Sequence, residues 1–368
     1  MEKLIIPFVR RVFLNLFKIS SEKLSRAILL SIKLVQKQNH KFNQEILINL
    51  SFILNNNINF LKILMIKKDR KNLWLQAIKW PLYSVAIIPI IISGAFNLYL
   101  HNNISIFNLY SFIFASILIL FWENLTNDLF DSETGIDKFK FHSVVNLVKN
   151  KKIISLTAYL SLIIGLFIVY LISISTNLNV FILVLCCCIL GYLYQGPPFR
   201  LGYFGFGEPL CWIAFGPLAH SAALIALDPN NDYYSKIPWK EALMLGSGPS
   251  LAITLVLFCS HFHQIKEDKS NGKNSPLVIL GTKRSASLIP WIVGTIYTFQ
   301  FFTILVGFIP PTCLLYFISL PYSIRLIKIL NKFHDNPESL KRCKFIAIKI
   351  QTMNGIGLTL GLLSSLLS

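Results

Sequence analysis

Beyond residue 80 the chain alternates between apolar runs and short polar connectors. Nine runs stand out, near 81–100, 106–126, 153–174, 179–195, 209–227, 242–262, 287–306, 309–328 and 346–367. Most approach the roughly 20 residues that a bilayer-crossing helix needs. Inside a bilayer no water satisfies backbone N–H and C=O groups, so each run must be helical. The pattern predicts an all-α polytopic membrane protein with nine transmembrane helices. The run at 209–227 carries Pro209, Gly216 and Pro217, which predicts a kinked or short helix.

The connectors sort by charge. With the N-terminal side inward, the outward connectors "HNNISI" and "ISTNLN" contain no Lys or Arg. A third, "DPNNDYYSKIPWKE", sets Lys236 and Lys240 beside Asp228, Asp232 and Glu241, and the fourth is a tight "GFIP". The inward connectors carry Lys138, Lys140, Lys149, Lys151 and Lys152, then Arg200, then Lys266, Lys269, Lys273, Lys283 and Arg284, then Lys332, Lys341, Arg342 and Lys344. Positive connectors stay on the cytoplasmic side, which predicts N-terminus in and C-terminus out.

Composition agrees with this reading. Of 368 residues 54% are hydrophobic and 14% charged, against roughly 25% charged in soluble domains. The net charge of +18, from 35 Lys and Arg against 17 Asp and Glu, raises the question of a nucleic-acid partner. Basic connectors on one side of a membrane account for it, and no nucleic-acid partner is expected. The seven cysteines lack metal or disulfide spacing, and Cys186, Cys187 and Cys188 lie inside an apolar run, where Cys acts as a small hydrophobe.

Residues 1–68 form an N-terminal extension of different composition, and 69–368 the membrane domain. The extension is rich in Lys and Asn, with Glu2, Glu22 and Glu45 as its acids. Its segment "RRVFLNLFKISSEKLSRAILLSIKLV" has amphipathic helical periodicity and loosely resembles a transit peptide, although it is not Ser-rich. An over-extended start is the alternative, because Met65 precedes "IKKDRKNLWLQAIKWPLYS".

Candidate chemistry gathers on the inward side. "NDLFDSETGID" places Asp128, Asp131, Glu133 and Asp137 just past the second run. On a helix Asn124, Asn127, Asp128 and Asp131 share one face, and Gly135 then breaks the helix. Carboxylates so close cannot all stay ionised without cations. Lys138 and Lys140 supply some charge, and Mg2+ binds through one or two carboxylates together with substrate phosphate oxygens. Ionisable groups at the end of a span are costly and tend to be functional; a solvated helix end is the plainer alternative.

The connector after the sixth run repeats the theme. His261, Gln264 and Asp268 lie on one helical face, followed by "KSNGK". Asp268 is the second candidate metal ligand, and Gln264 offers a neutral amide oxygen. His261 and His263 suit hydrogen bonding, metal or a simple interfacial role. Lys269 and Lys273 suit phosphate. Between the boxes, "YLYQGPPFRLGYFGFGEP" is read as a rigid non-helical connector. Its one cation, Arg200, can hold phosphate through two parallel hydrogen bonds. Glu208 suits either a helix N-terminus or catalysis.

These motifs resemble the UbiA superfamily of intramembrane prenyltransferases over roughly residues 70–368. The resemblance implies nine helices around a central cavity, with two acidic motifs holding Mg2+ and a prenyl diphosphate. Asn127-Asp128-x-x-Asp131 matches the first motif, with Asp137 as its distal acid. "NDLFDSETGID", "PPFRLGYFGFGE" and "LFCSHFHQIKEDKSNGKNSPLVILGTKR" are similar to the branch that prenylates 1,4-dihydroxy-2-naphthoate, and within it to the photosynthetic subgroup that uses phytyl diphosphate. The chain departs from many members at Gln264 and near His261, where Asp and Asn stand in those proteins.

The resemblance implies catalysis by Asp128, Asp131 and Asp268, and a metal held by these with Asn127, Asp137 and Gln264. Arg200 and Lys273 would meet phosphate. Tyr194, His261, His263 and Glu208 are candidates for the acceptor. The expected partners are a phytyl or polyprenyl diphosphate, 1,4-dihydroxy-2-naphthoate and the bilayer, in a cyanobacterial plasma or thylakoid membrane or a plastid membrane. The site would face the cytoplasm or stroma. Another aromatic acceptor such as homogentisate, or a transporter using its acids as an ion path, are the competing readings.

Overall fold

The computed structural model describes residues 71–135, 143–230, 233 and 236–367. The expectations for residues 1–68 and for Asp137, Lys138 and Lys140 lie outside these residues. Asn72–Ser368 forms one compact unit, and its described residues contain no strand.

Each of the nine predicted runs falls on a helix. We label them α1 (Ser84–His101), α2 (Ile106–Thr134), α3 (Lys151–Ser175) and α4 (Asn179–Gln195). Next come α5 (Gly207–Leu227) and α6 (Trp239–Ser270), then α7 (Thr282–Leu305), α8 (Pro311–Phe333) and α9 (Cys343–Ser364). Eight spans among the described residues are long and apolar enough to cross a membrane, and α4 is a shorter apolar helix.

Local chemistry sets the ends that matter. The Ser105 side chain accepts a hydrogen bond from the Asn108 amide and starts α2, satisfying one of the donors a helix leaves free. Asn150 does the same for α3. Gly135, at φ 85°, closes α2 with its N–H on the Asp131 carbonyl, the left-handed cap that glycine adopts without strain. The helix therefore carries its polar face two turns past the apolar run. α6 does likewise, continuing to Ser270.

The kink expected in the fifth run is a π-helical turn, Ala214–Leu218, with Pro217 inside it. Proline removes one N–H and pushes away the preceding turn, and a widened turn absorbs both. The Cys187 thiol donates to the Ala214 carbonyl at 3.4 Å.

The helices pack by the rules of lipid rather than water. Phe107, Ile163 and Trp291 are 79%, 62% and 77% exposed, a face that only an apolar solvent tolerates. Inside, small and amide residues join helices. A Cβ on Gly357 or Gly361 of α9 would collide with the backbone of Leu315 or Cys313 on α8. Gln300 and Asn354 exchange two hydrogen bonds, at 2.8 and 2.9 Å, between α7 and α9. Ser105 at the start of α2 meets Leu227 at the end of α5, while the end of α2 meets the end of α4 and the connector before α5, as described below. α2 and α5 thus run in opposite directions, and the ends of α2 and α4, the connector before α5 and the chain leaving α6 share one end of the bundle.

Candidate active site

The helix face predicted on α2 reaches its end with two buried acids pointing to different partners. Asp128 is 1% exposed and Asp131 6%. Lys79 Nζ lies 2.9 Å from Asp128 Oδ1, and the Val144 N–H donates to Oδ2 at 3.0 Å. Lys79 is held in the left-handed region, φ 53°, by the turn Trp80–Tyr83 that introduces α1. Asp131 accepts instead from the side-chain amide of Gln195, the last residue of α4.

The end of α6 presents the second box. Asp268 is 1% exposed, and its Oδ2 is 3.1 Å from His261 Nδ1. The other ring nitrogen of His261 is 3.6 Å from Glu208 Oε1, near the start of α5. A neutral imidazole has one N–H to share between these two acids. Lys273 returns under Asp268, donating its backbone N–H to the Asp268 carbonyl at 2.9 Å. Its side chain is buried, with the ammonium 5.9 and 5.5 Å from the ring centres of Tyr194 and Tyr203, within cation–π range.

Tyr203 draws the two boxes into one site. Its hydroxyl is 2.7 Å from Thr134 Oγ1 at the end of α2, and its carbonyl accepts the Asn274 N–H at 2.8 Å beyond α6. Burial pushes this phenol up to about 12, opposed by the Thr134 hydrogen bond and helped by the charges of Asp131 and Asp268. The hydroxyl therefore keeps its proton at neutral pH. Arg200 completes the rim. It reaches Glu133 at 3.3 Å, and its guanidinium carbon is 5.8 Å from the Tyr203 ring centre. Asn271 comes within 3.5 Å of where a Cβ on Gly135 would stand.

The connector itself differs from the non-helical form expected, because Leu201–Phe204 is a short 3-10 turn closed by Gly205 at φ 83°. A Cβ on Gly205 would stand 3.2 Å from the Asn274 carbonyl. Gly205→Ala is expected to cost about 2 kcal/mol, from the left-handed backbone and the crowded carbonyl. Thermal unfolding in detergent, read against a Gly294→Ala control that meets no neighbour within 4 Å and has no left-handed backbone, checks this.

The buried atoms left without hydrogen bonds test whether a metal fits. Asn127 Oδ1, Gln195 Oε1, both Glu208 oxygens and Asp268 Oδ1 are in this state. All are oxygen acceptors, the ligands that Mg2+ takes. Arg200 Nε is a buried donor without a partner, suited to an anion. Among the described residues no three His, Cys, Asp or Glu side chains form a ready-made metal cage. The donor set fits an ion completed by oxygens of a bound anion, rather than a closed structural site.

Of the residues singled out in the sequence, Asn127, Asp128, Asp131, Tyr194, Arg200, Glu208, His261, Asp268 and Lys273 border this region. Gln264 is half-buried on the His261 face and makes no hydrogen bond among the described residues. His263 is half-buried, and two residues on from His261 it projects from another side of α6. Lys79, Gln195, Thr134 and Tyr203 were not anticipated. Lys79 and Gln195 share a signal, a polar residue at the boundary of an apolar run within two residues of proline or glycine.

Fold and site together define a polytopic helical membrane protein with a polar mouth, lined by acceptors and cations, at one end of its bundle. Residues 86–349 match the UbiA prenyltransferase family. The chain is 38% identical over 296 residues to the 2-carboxy-1,4-naphthoquinone phytyltransferase of Synechocystis, covering 79% of this chain and 93% of that protein. It is 36% identical over 296 residues to the chloroplastic enzyme of the same name from Arabidopsis thaliana, covering 79% and 77%. A UbiA homologue from Archaeoglobus fulgidus, solved with DMAPP and Mg2+, superposes with a TM-score of 0.52 at 15% identity, covering 77% of this chain and 98% of that one. The chain belongs to the UbiA prenyltransferase family.

Proposed function

We propose that the chain transfers a phytyl or other polyprenyl group from its diphosphate to the carboxylated carbon of a naphthoid ring, with loss of CO2. The acceptor is 1,4-dihydroxy-2-naphthoate or its oxidised form, 2-carboxy-1,4-naphthoquinone, and the product serves phylloquinone or menaquinone synthesis. The carrying observation is the meeting of two acidic helix ends with Lys79, Arg200 and Lys273 at one end of a lipid-facing bundle. The relatives from Synechocystis and Arabidopsis support the acceptor and the phytyl donor by what they are named for.

The one-sided basic connectors support nine spans, with α4 as the shortest, and a mouth on the cytoplasmic or stromal side of a cyanobacterial or plastid membrane. Residues 1–68 stand outside the catalytic domain. Asn127, Asp131 and Asp268, with Asp128, Asp137 and Gln264, would hold Mg2+. The bound ion would neutralise charge on the departing diphosphate.

The chain's own groups do the rest. Arg200 and Lys273 bind the phosphates, and Tyr203 offers them a protonated hydroxyl. The apolar helices hold the prenyl chain away from water. The allylic C–O bond breaks with its electron pair leaving on the diphosphate. The carbon so exposed bonds to the ring carbon that bears the carboxylate, and that carbon–carboxyl bond releases CO2. No proton or oxidant is needed, so the ring keeps its oxidation level. Fixing donor and acceptor together supplies much of the acceleration.

Membranes containing the full chain, given labelled phytyl diphosphate and the naphthoate, are expected to form the prenylated naphthoquinol, read as its quinone after air oxidation, and CO2 with Mg2+, and neither after chelation. Failure to form such a product with any prenyl donor overturns the acceptor reading.

A further inference from the structure

One intramembrane acid is left over by this scheme. Glu123 lies on α2 four and eight residues before Asn127 and Asp131, so the three form a single row along the helix. At 1.5 Å per residue it sits about 12 Å deeper than Asp131. It faces α4, where its Cδ is 3.5 Å from the position a Cβ on Gly191 would take. The thiols of Cys187, Cys188 and Cys211 lie within electrostatic reach. Among the described residues no cation and no hydrogen bond reaches its carboxyl, which is half-buried rather than sealed.

A carboxyl inside a membrane span is costly and is usually kept for a partner. Here the described residues supply none. The stripe above it is equally open, since Asn127 Oδ1 is buried without a partner. A diphosphate does not belong beside Glu123, because like charges repel and the cations lie at the mouth. The remaining substrate is the aromatic acceptor, whose ring oxygens can share a hydrogen with a carboxyl in either protonation state.

We propose that Glu123 hydrogen-bonds an oxygen substituent of the aromatic acceptor and thereby sets its ring beside the allylic carbon. This rests on the transferase reading above. It adds a substrate-contacting residue, two turns inside the membrane, and explains why an apolar helix carries an acid there.

Binding is the cleanest test, because it does not require turnover. The detergent-solubilised full chain is loaded with Mg2+ and an unreactive phytyl thiolodiphosphate. Dihydroxynaphthoate is then titrated and followed by its own fluorescence. Glu123→Leu is expected to weaken acceptor binding about tenfold or more, the effect of losing a buried hydrogen bond, with donor binding unchanged. Glu123→Gln, which can still donate and accept, is expected to bind within a few-fold of wild type. Gly191→Val, which crowds the carboxyl from α4, should mimic Glu123→Leu. Wild type should also discriminate among naphthoates lacking one ring hydroxyl, and Glu123→Leu should not.

Unchanged acceptor binding in Glu123→Leu overturns the proposal. So does a Glu123→Gln variant as weak as Glu123→Leu, or an equal loss of donor binding, since either marks a structural acid. Intact binding without any transfer product counts against the proposed reaction and leaves this contact standing.

Discussion

Asp131→Ala and Asp268→Ala are each expected to lower transfer by about a thousandfold or more while the protein remains in the membrane. The two acids approach the mouth from different helices, and each fixes one oxygen on a protein partner, Gln195 or His261. Asp268 keeps its other oxygen buried and free of hydrogen bonds. Removing either deletes negative charge aimed at a cation that the leaving group needs, and single preorganised electrostatic groups of this kind are worth roughly 10²–10³ in rate. The loss is larger where the ion itself is lost. Product formation at saturating Mg2+, with insertion checked by membrane fractionation, measures it. Wild-type rates in either variant reject the metal role.

Lys79→Met is expected to cost about 3 kcal/mol of stability as well as activity. Its ammonium pairs with Asp128 at 2.9 Å, with the two side chains 17% and 2% exposed. Breaking such a pair from one side strands a buried charge. The Val144 N–H bond to Asp128 softens the loss without replacing the cation. Adding Asp128→Asn should restore most of the thermal stability, because neither charge remains, and should restore none of the transfer. Unfolding temperatures of the single and double variants in detergent decide the first point, and phytyl transfer decides the second. A double variant no more stable than Lys79→Met would show that the pair is not what holds this corner.

Much of the architecture was legible because bilayer physics leaves few choices. An apolar run of span length has to be a helix, and all nine runs are. The shared face of Asn127, Asp128 and Asp131 followed from helical spacing alone. The partners of those acids did not. Lys79 meets Asp128 across 49 residues and Gln195 meets Asp131 across 64, and helical periodicity says nothing about contacts at that separation. For the same reason Asp128 read only as a metal ligand, and its contacts with Lys79 and the Val144 N–H were not foreseen. Tyr203 was hidden differently. It acts through its carbonyl as much as its hydroxyl, and a backbone acceptor leaves no mark on residue type. The fifth run was expected to bend at its prolines and glycine, but only packing could select a π turn centred on the residues before Pro217. Gln264 keeps the helical face expected of it, and among the described residues no hydrogen bond holds its amide.

Tyr203 is tied by its hydroxyl to one helix terminus and by its carbonyl to the chain leaving another. A shift of either terminus is thereby passed to the other through a single aromatic residue, and the spacing of the two acidic boxes is kept by one side chain and one backbone oxygen.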